Sequence, residues 1–200
     1  MTDGAEGREG AKRVEAFSDG VIAIIITIMV LELHAPEEPG LKHLLPLWPV
    51  FVAYLLSYIY VAIYWVNHHR LFHFATGVSN GLVWSNIALL FALSLVPFAT
   101  AYLGEQQFTR DATLLYLGTM LLPSFAYSWL QAVIRRTGRQ DDVAQDYHLR
   151  STRKGMAATF VYALGIPLAF VSPVAGLACA ALVAVFWCLP KSPLDALFGA

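Results

Sequence analysis

Long runs of apolar residues, each bounded by a short polar connection, dominate the pattern of the chain. A helix rises about 1.5 Å per residue and the hydrocarbon layer of a bilayer is about 30 Å thick, so about 20 apolar residues suffice to cross it. The pattern predicts an all-α integral membrane protein in which residues 1–200 form one domain of six transmembrane helices. The predicted spans cover approximately residues 14–33, 46–66, 82–103, 112–134, 155–171 and 174–189.

Prolines and a tight turn modify these predicted helices. Pro97, Pro123 and Pro167 lie inside spans. Because proline lacks a backbone N–H and its ring clashes with the preceding turn, we expect a kink in each of the three helices. Ser172 and Pro173 predict a tight turn between the last two spans.

The lysines and arginines of the connections are distributed unevenly between the two sides of the membrane. Eleven of the thirteen fall on the side where the chain begins, and only Lys42 and Arg110 fall on the other. Because cytoplasmic loops retain positive charge, both termini are predicted to be cytoplasmic. Residues 1–12 are then expected to form a cytoplasmic tail, and residues 135–154 a cytoplasmic loop or short surface helix.

The composition agrees with a membrane protein and excludes several functions. Apolar residues make up 58% of the chain, charged residues only 14%, and the mean hydropathy is +0.58. A net charge of -1 without a basic face argues against a nucleic-acid partner. No nucleophile elbow, zinc-protease motif or phosphate-binding glycine loop is present, so we expect neither an enzyme nor a bound cofactor.

The first span has an apolar stripe along one side. At 100° per residue, Ile24, Thr27, Ile28 and Leu31 fall within a sector of about 100°, and Phe17 extends this sector toward the start of the helix. The stripe is expected to face either other copies of the same helix or simply lipid and core. Periodicity alone does not distinguish these two interpretations.

Polar residues enter the first span and recur where the second span ends and the third begins. An ionisable group such as Asp19 inside a membrane is rare unless it is paired or faces water. It is therefore predicted either to join a buried polar network or, more simply, to be stabilised by the positive end of the helix dipole. The residues expected in the network are Arg13, Ser18, Asp19, His68, His69, the Trp84 indole N–H and Asn86.

The histidines at the end of the second span suggest two further roles. One of them is expected to titrate near neutral pH and to act as a gate sensor. His69 and His73 are four residues apart, which suits a transition metal on one helical face. No third ligand lies nearby in the sequence, so no metal site is predicted.

The first helix also resembles a known family. The pattern Arg13-x-x-x-Phe17-Ser18-Asp19, followed by Ala23-Ile24-x-x-Thr27, is similar to the first-helix signature of the transmembrane protein 175 family of potassium channels, and the segment from Asn86 to Thr100 also resembles that family. Members are lysosomal in animals and also occur in prokaryotes. Six spans in a single copy resemble the prokaryotic form, a homotetramer. The resemblance therefore implies a multi-pass protein in the cytoplasmic membrane of a prokaryote.

The resemblance further implies how the pore is built. Four first helices would line it without a Thr-Val-Gly-Tyr-Gly filter, with Ile24, Ile28 and Leu31 as the apolar constriction and Thr27 as a hydroxyl ring where potassium binds transiently. A tight apolar ring is dewetted and closed, so conduction of partly hydrated potassium requires the ring to widen. The chain departs from the family in the bulk of Ile25, Ile26 and Met29, and in Ile28 where leucine is common.

A proton- or cation-coupled transporter is the alternative function, with Asp19 and the inner-side histidines as coupling groups. Such a transporter is expected to bind its substrate near the midplane, often at broken helices in paired repeats. No internal repeat is present in the sequence. The expected partners are therefore other copies of the chain, potassium ions and the lipid bilayer.

Overall fold

A computed structural model describes the backbone of residues 2–188 and the side chains of residues 5–187, so the predicted end of the sixth span at Leu189 lies outside the described residues. Helices make up this part of the chain apart from short connections. The helices are α1 (Thr2–Leu31), a 3-10 helix (Leu41–Leu47), α2 (Trp48–Phe72), α3 (Asn80–Ser94), α4 (Val96–Glu105), α5 (Arg110–Thr137), α6 (Asp142–Val171) and α7 (Pro173–Cys188).

Five helical segments are long and apolar enough to cross a membrane. They are Ala5–Leu31, Leu41–Phe72, Asn80–Glu105, Arg110–Thr137 and Asp142–Val171, and the shorter apolar helix Pro173–Trp187 follows them. The chain is therefore a multi-pass membrane protein. The fifth span, predicted as the short run 155–171, is part of the 30-residue helix α6. The turn predicted at Ser172 and Pro173 is confirmed as a single non-helical residue, Ser172.

Only one of the three prolines interrupts its span. α3 ends at Ser94 and α4 begins at Val96, so the helix breaks just before Pro97. At the break the Leu95 N–H donates to the Ala92 carbonyl at 3.4 Å, which is the tighter bonding of a 3-10 turn. α5 and α6 are each continuous through their prolines, Pro123 and Pro167.

The two segments predicted as tail and loop are mostly helical. α1 begins at Thr2, so the described residues of the segment predicted as a cytoplasmic tail are helical and continuous with the first span. Of the predicted loop 135–154, only residues 138–141 are not helical. Asp141 begins α6 by accepting a hydrogen bond from the Ala144 N–H at 2.8 Å. That backbone bond and the Arg139 guanidinium hold the pKa of the Asp141 carboxyl below its usual range.

The helices pack as a bundle whose end nearest the start of α1 also holds the connections 73–79 and 138–141; we call it the basic end. Backbone hydrogen bonding joins these two connections, since the Arg139 N–H donates to the Phe74 carbonyl at 2.9 Å. At the opposite end α4 lies very close to α2, where a Cβ added to Gly104 would be 2.7 Å from the Val50 Cα. The core between α2, α3 and α5 is apolar, with Leu89, Leu93 and Met120 fully buried.

Candidate functional site

α1 packs on the bundle with one side and leaves the predicted stripe uncovered. Ile22, Ile25 and Met29 are at most 3% exposed and contact the core. On the other side, Ile24 is 58% exposed and Leu31 is 72% exposed. The stripe is therefore not part of this subunit's core, and its exposure fits contact with other copies of α1 as well as contact with lipid. The remaining members of the exposed stripe are Phe17, Thr27 and Ile28.

Thr27 is the one hydroxyl on the stripe, and its proton is already bound. Its Oγ1 donates to the Ile24 carbonyl at 2.9 Å, one turn earlier in the same helix. Because a hydroxyl oxygen carries two acceptor lone pairs, this bond leaves the oxygen free to accept a further donor or a cation.

The opposite side of α1 joins a buried polar network near the basic end. Ser18, Asn86 and His68 are at most 1% exposed, and they come from α1, α3 and α2 respectively. The Asn86 Nδ2 group donates to the Ser18 Oγ at 2.9 Å, and the Ser18 hydroxyl donates to the Val14 carbonyl at 2.8 Å. The sequence prediction that these three residues meet is confirmed.

This network fixes the proton position on His68. Since Asn86 uses its amide nitrogen on Ser18, its Oδ1 accepts from the His68 Nε2 group at 2.8 Å. The ring proton of His68 therefore lies on Nε2. The buried Nδ1 of His68 has no partner in the described part of the chain, and the ring packs against Phe72 with centroids 4.4 Å apart.

Asp19 is bonded by a different tryptophan from the one predicted. The Trp65 Nε1 group donates to the Asp19 Oδ1 at 2.9 Å. Trp84 is 63% exposed and makes no hydrogen bond with the described residues, so its predicted place in the network is wrong. Trp65 lies one turn before His68 and His69 on α2, which brings its indole beside α1. Because α1 begins at Thr2, Asp19 lies in the middle of the helix and not at the positive end of its dipole, so the dipole explanation is wrong and the bond from Trp65 satisfies this carboxylate.

The remaining predicted members lie outside the buried network. The His69 Nδ1 atom is 2.8 Å from the Glu15 Oε1 atom, and the His69 ring stacks on Trp65. Arg13 is exposed and makes no hydrogen bond or ion pair within residues 5–187. His73 lies 4.7 Å from His69, ring centre to ring centre, yet no group of three or more metal-ligating side chains forms among the described residues.

Comparison with known proteins assigns the family. A family model described as "Endosomal/lysosomal potassium channel TMEM175" matches residues 13–97. A protein of Chryseobacterium sp. (strain P1-3) named a potassium channel is 40% identical over 184 residues, which are 92% of this chain and 95% of that protein. The chain belongs to the TMEM175 family. A TMEM175-family protein is an ion channel and not an enzyme, as the sequence predicted.

Further relatives of this TMEM175-family chain extend the comparison. A Streptomyces collinus protein named a potassium channel is 35% identical and covers 91% of this chain and 93% of its own length. The fold is similar to the crystal structure of a lysosomal potassium-selective channel TMEM175 homologue from Chamaesiphon minutus, with a TM-score of 0.80, 27% identity, and 95% of this chain and 98% of that chain covered. The human endosomal/lysosomal proton channel TMEM175 is 28% identical over 48% of this chain and 20% of its own length.

Sequence reasoning missed two residues of this TMEM175-family site, Glu15 and Trp65. Glu15 precedes Asp19 by one helical turn, and Trp65 precedes His69 by one turn on α2. Each therefore lies on the same helix face as a residue that the sequence did single out, and this four-residue spacing was the signal that could have found them. The contacts of Glu15 with His69, of Ser18 with Asn86 and of Asp19 with Trp65 together hold the middle of α1 against α2 and α3.

Proposed function

We propose that this chain forms a homotetrameric potassium channel in the cytoplasmic membrane of a prokaryote, with both termini cytoplasmic and with four copies of α1 lining the pore. The proposal rests on the exposed stripe of α1 in a chain whose relatives from Chryseobacterium and Streptomyces are named potassium channels. Potassium is the permeant ion, and no resident cofactor is needed.

The surface beside the stripe supports contact with a neighbouring copy. A groove of about 430 Å³ lies between α1 and α4, with Ile24 and Ile28 on one side and Phe98 on the other. Phe98 is 66% exposed. In a ring of four subunits, a head-to-tail arrangement buries this groove against the α1 helix of the next copy and turns Ile24 and Leu31 toward the axis.

The chemistry of the stripe supports a gate that opens by wetting. A ring of Ile24, Ile28 and Leu31 side chains excludes water when narrow, and a bare cation in such a ring would cost on the order of tens of kcal/mol. Conduction then requires widening until a mostly hydrated ion passes. Thr27 keeps acceptor lone pairs available because its proton is bound to the Ile24 carbonyl. Four such oxygens replace part of the hydration shell of potassium more readily than the tighter shell of sodium.

Proton permeation is the second candidate. It is favoured by the name of the animal relatives, which are endosomal/lysosomal proton channels. The match to this chain covers 20% of the length of the rat and human proteins. A proton-coupled transporter that uses Asp19 is distinguished from a channel by the flux experiment described below. The bond from Trp65 to Asp19 holds this carboxylate in a fixed position against α2, which disfavours its use as a mobile carrier.

The test is ion flux from liposomes that contain the purified protein. Potassium efflux that exceeds sodium efflux, without a fixed ratio to proton movement, is expected; strict one-to-one coupling to protons would favour the transporter. Ile24→Trp should abolish flux by filling the constriction. Leu122→Trp is the matched control, since Leu122 is 45% exposed on α5 and lies off the stripe. Equal flux from both variants would place the ion path elsewhere.

A further inference from the structure

A groove between α2 and α7 lies at the level of the membrane and is not part of the proposed pore. It encloses about 280 Å³ and is lined chiefly by one side of α2 and by Trp187 of α7. The α2 residues run from Tyr58 to Arg70 at helical spacing, which corresponds to about 18 Å along the helix axis. Half of a hydrocarbon layer is about 15 Å thick, so the groove spans about one leaflet. Its apolar members are Ile59, Ala62, Ile63, Val66 and Trp187.

Arg70 gives the groove a charged end. It is exposed, lies three residues before the connection at the basic end, and makes no ion pair with the described part of the chain. Among the described residues, no acidic side chain lines the groove. This end therefore presents positive charge at the depth where lipid headgroups meet the hydrocarbon.

A polar cavity adjoins the groove below Arg70. It encloses about 50 Å³ between α2, α5, α6 and α7, and shares Asn67, Ile63 and Trp187 with the groove. Its described lining residues include no acidic side chain, and hydroxyl groups line it from three helices: Tyr64, Ser124, Tyr127, Ser128, Ser151 and Thr152. Hydroxyls and amides next to a cation are suited to the phosphate and glycerol oxygens of a lipid, whereas an acyl chain requires only apolar wall.

We propose that the α2–α7 groove binds one anionic phospholipid, with its phosphate on Arg70, its glycerol oxygens at Asn67 and the adjoining hydroxyls, and one acyl chain along the apolar part of α2. The length of the groove, its charge and its polar side cavity each match one part of that molecule. Basic pockets between transmembrane helices are a known way of holding anionic lipid headgroups. The lipid then bridges α2, which carries the anchoring residues of α1, and the outer helix α7.

The test is native mass spectrometry of the protein released from mixed detergent micelles with phosphatidylglycerol or phosphatidylcholine added. The wild-type protein should retain phosphatidylglycerol in preference to phosphatidylcholine. Arg70→Gln should lower phosphatidylglycerol retention about fivefold, the effect of one juxtamembrane cation. Ala62→Trp, which fills the acyl part of the groove, should also lower it. Arg110→Gln is the control, because Arg110 is also an exposed arginine and lies at the opposite end of the bundle.

Two results would overturn the lipid site. One is equal retention of the two lipids by the wild-type protein, a measurement that needs no variant to fold. The other is wild-type retention of phosphatidylglycerol by a folded Arg70→Gln protein. The same spectra report the subunit number, and a change of oligomeric mass in Ala62→Trp would assign the groove to a second copy of the chain instead of a lipid. These measurements of lipid retention do not depend on potassium flux, so the lipid site and the proposed channel function are tested independently.

Discussion

Removal of the Asn86 side chain should destabilise the bundle more than removal of any other single member of the polar network. Asn86→Ala deletes two hydrogen bonds between helices, one to Ser18 and one from His68. Such bonds contribute about 0.6–1.7 kcal/mol each in membrane proteins, and a buried polar group left unsatisfied costs about 1–3 kcal/mol. In Asn86→Ala the His68 ring is the group left unsatisfied. Its Nε2 loses the Asn86 acceptor, and its Nδ1 already lacks a partner within residues 5–187. The expected loss is about 2–5 kcal/mol of unfolding free energy.

The measurement is reversible unfolding in dodecyl maltoside micelles titrated with sodium dodecyl sulfate, followed by circular dichroism. Ser18→Ala is the comparison variant: it should cost less than Asn86→Ala, because it deletes one hydrogen bond between helices and Asn86 keeps its bond to His68. A double-mutant cycle of Asn86→Ala with His68→Leu should give a coupling of about 1 kcal/mol or more. A loss below about 0.5 kcal/mol for Asn86→Ala would refute the network as an anchor of α1.

Two further variants test the stripe and the packing of the bundle. Thr27→Ala should lower the potassium-over-sodium permeability ratio in reversal-potential measurements, whereas Thr27→Ser should preserve it; an unchanged ratio in Thr27→Ala removes this hydroxyl from selectivity. Gly104→Ala places a Cβ 2.7 Å from the Val50 Cα and should reduce the unfolding free energy by about 1–3 kcal/mol. Gly118→Ala has no atom within 4 Å of its new Cβ and should be as stable as the wild type or more so. Equal stability of the two glycine variants would contradict the close approach of α4 to α2.

The sequence predicts the multi-pass helical architecture and the Ser18–Asn86–His68 network because both follow from strong energetic constraints. Polar groups inside a bilayer must find partners, and alternating topology brings the end of α2 and the start of α3 back to the start of α1. The choice between Trp65 and Trp84 depends instead on how α2 and α3 are rotated about their axes. Both indoles lie near the same end of the bundle, and sequence spacing does not fix that rotation.

The errors in helix length have a different cause. Hydropathy identifies the part of a helix that lies in hydrocarbon, and it does not detect the part of the same helix that continues into water. The charged residues before Val14 favour helix as strongly as the apolar ones after it, so α1 extends back to Thr2. In the predicted loop, Gly138 and the N-cap Asp141 are the actual boundary signals. Residues 142–154 of the predicted loop belong to α6.

The position of the anchors along α1 determines where the proposed pore is able to widen. Within the described residues, the hydrogen bonds from α1 to other helices all come from Glu15, Ser18 and Asp19. Beyond Asp19, α1 is held by apolar contacts alone, made by residues such as Ile25 and Met29. Dispersion contacts are non-directional and re-form after a small displacement, whereas a displaced hydrogen bond in hydrocarbon is lost. In the proposed pore, widening at the far end of the stripe would therefore require no hydrogen bond to break, and the anchored segment from Glu15 to Asp19, at the middle of α1, would be the point about which the helix pivots.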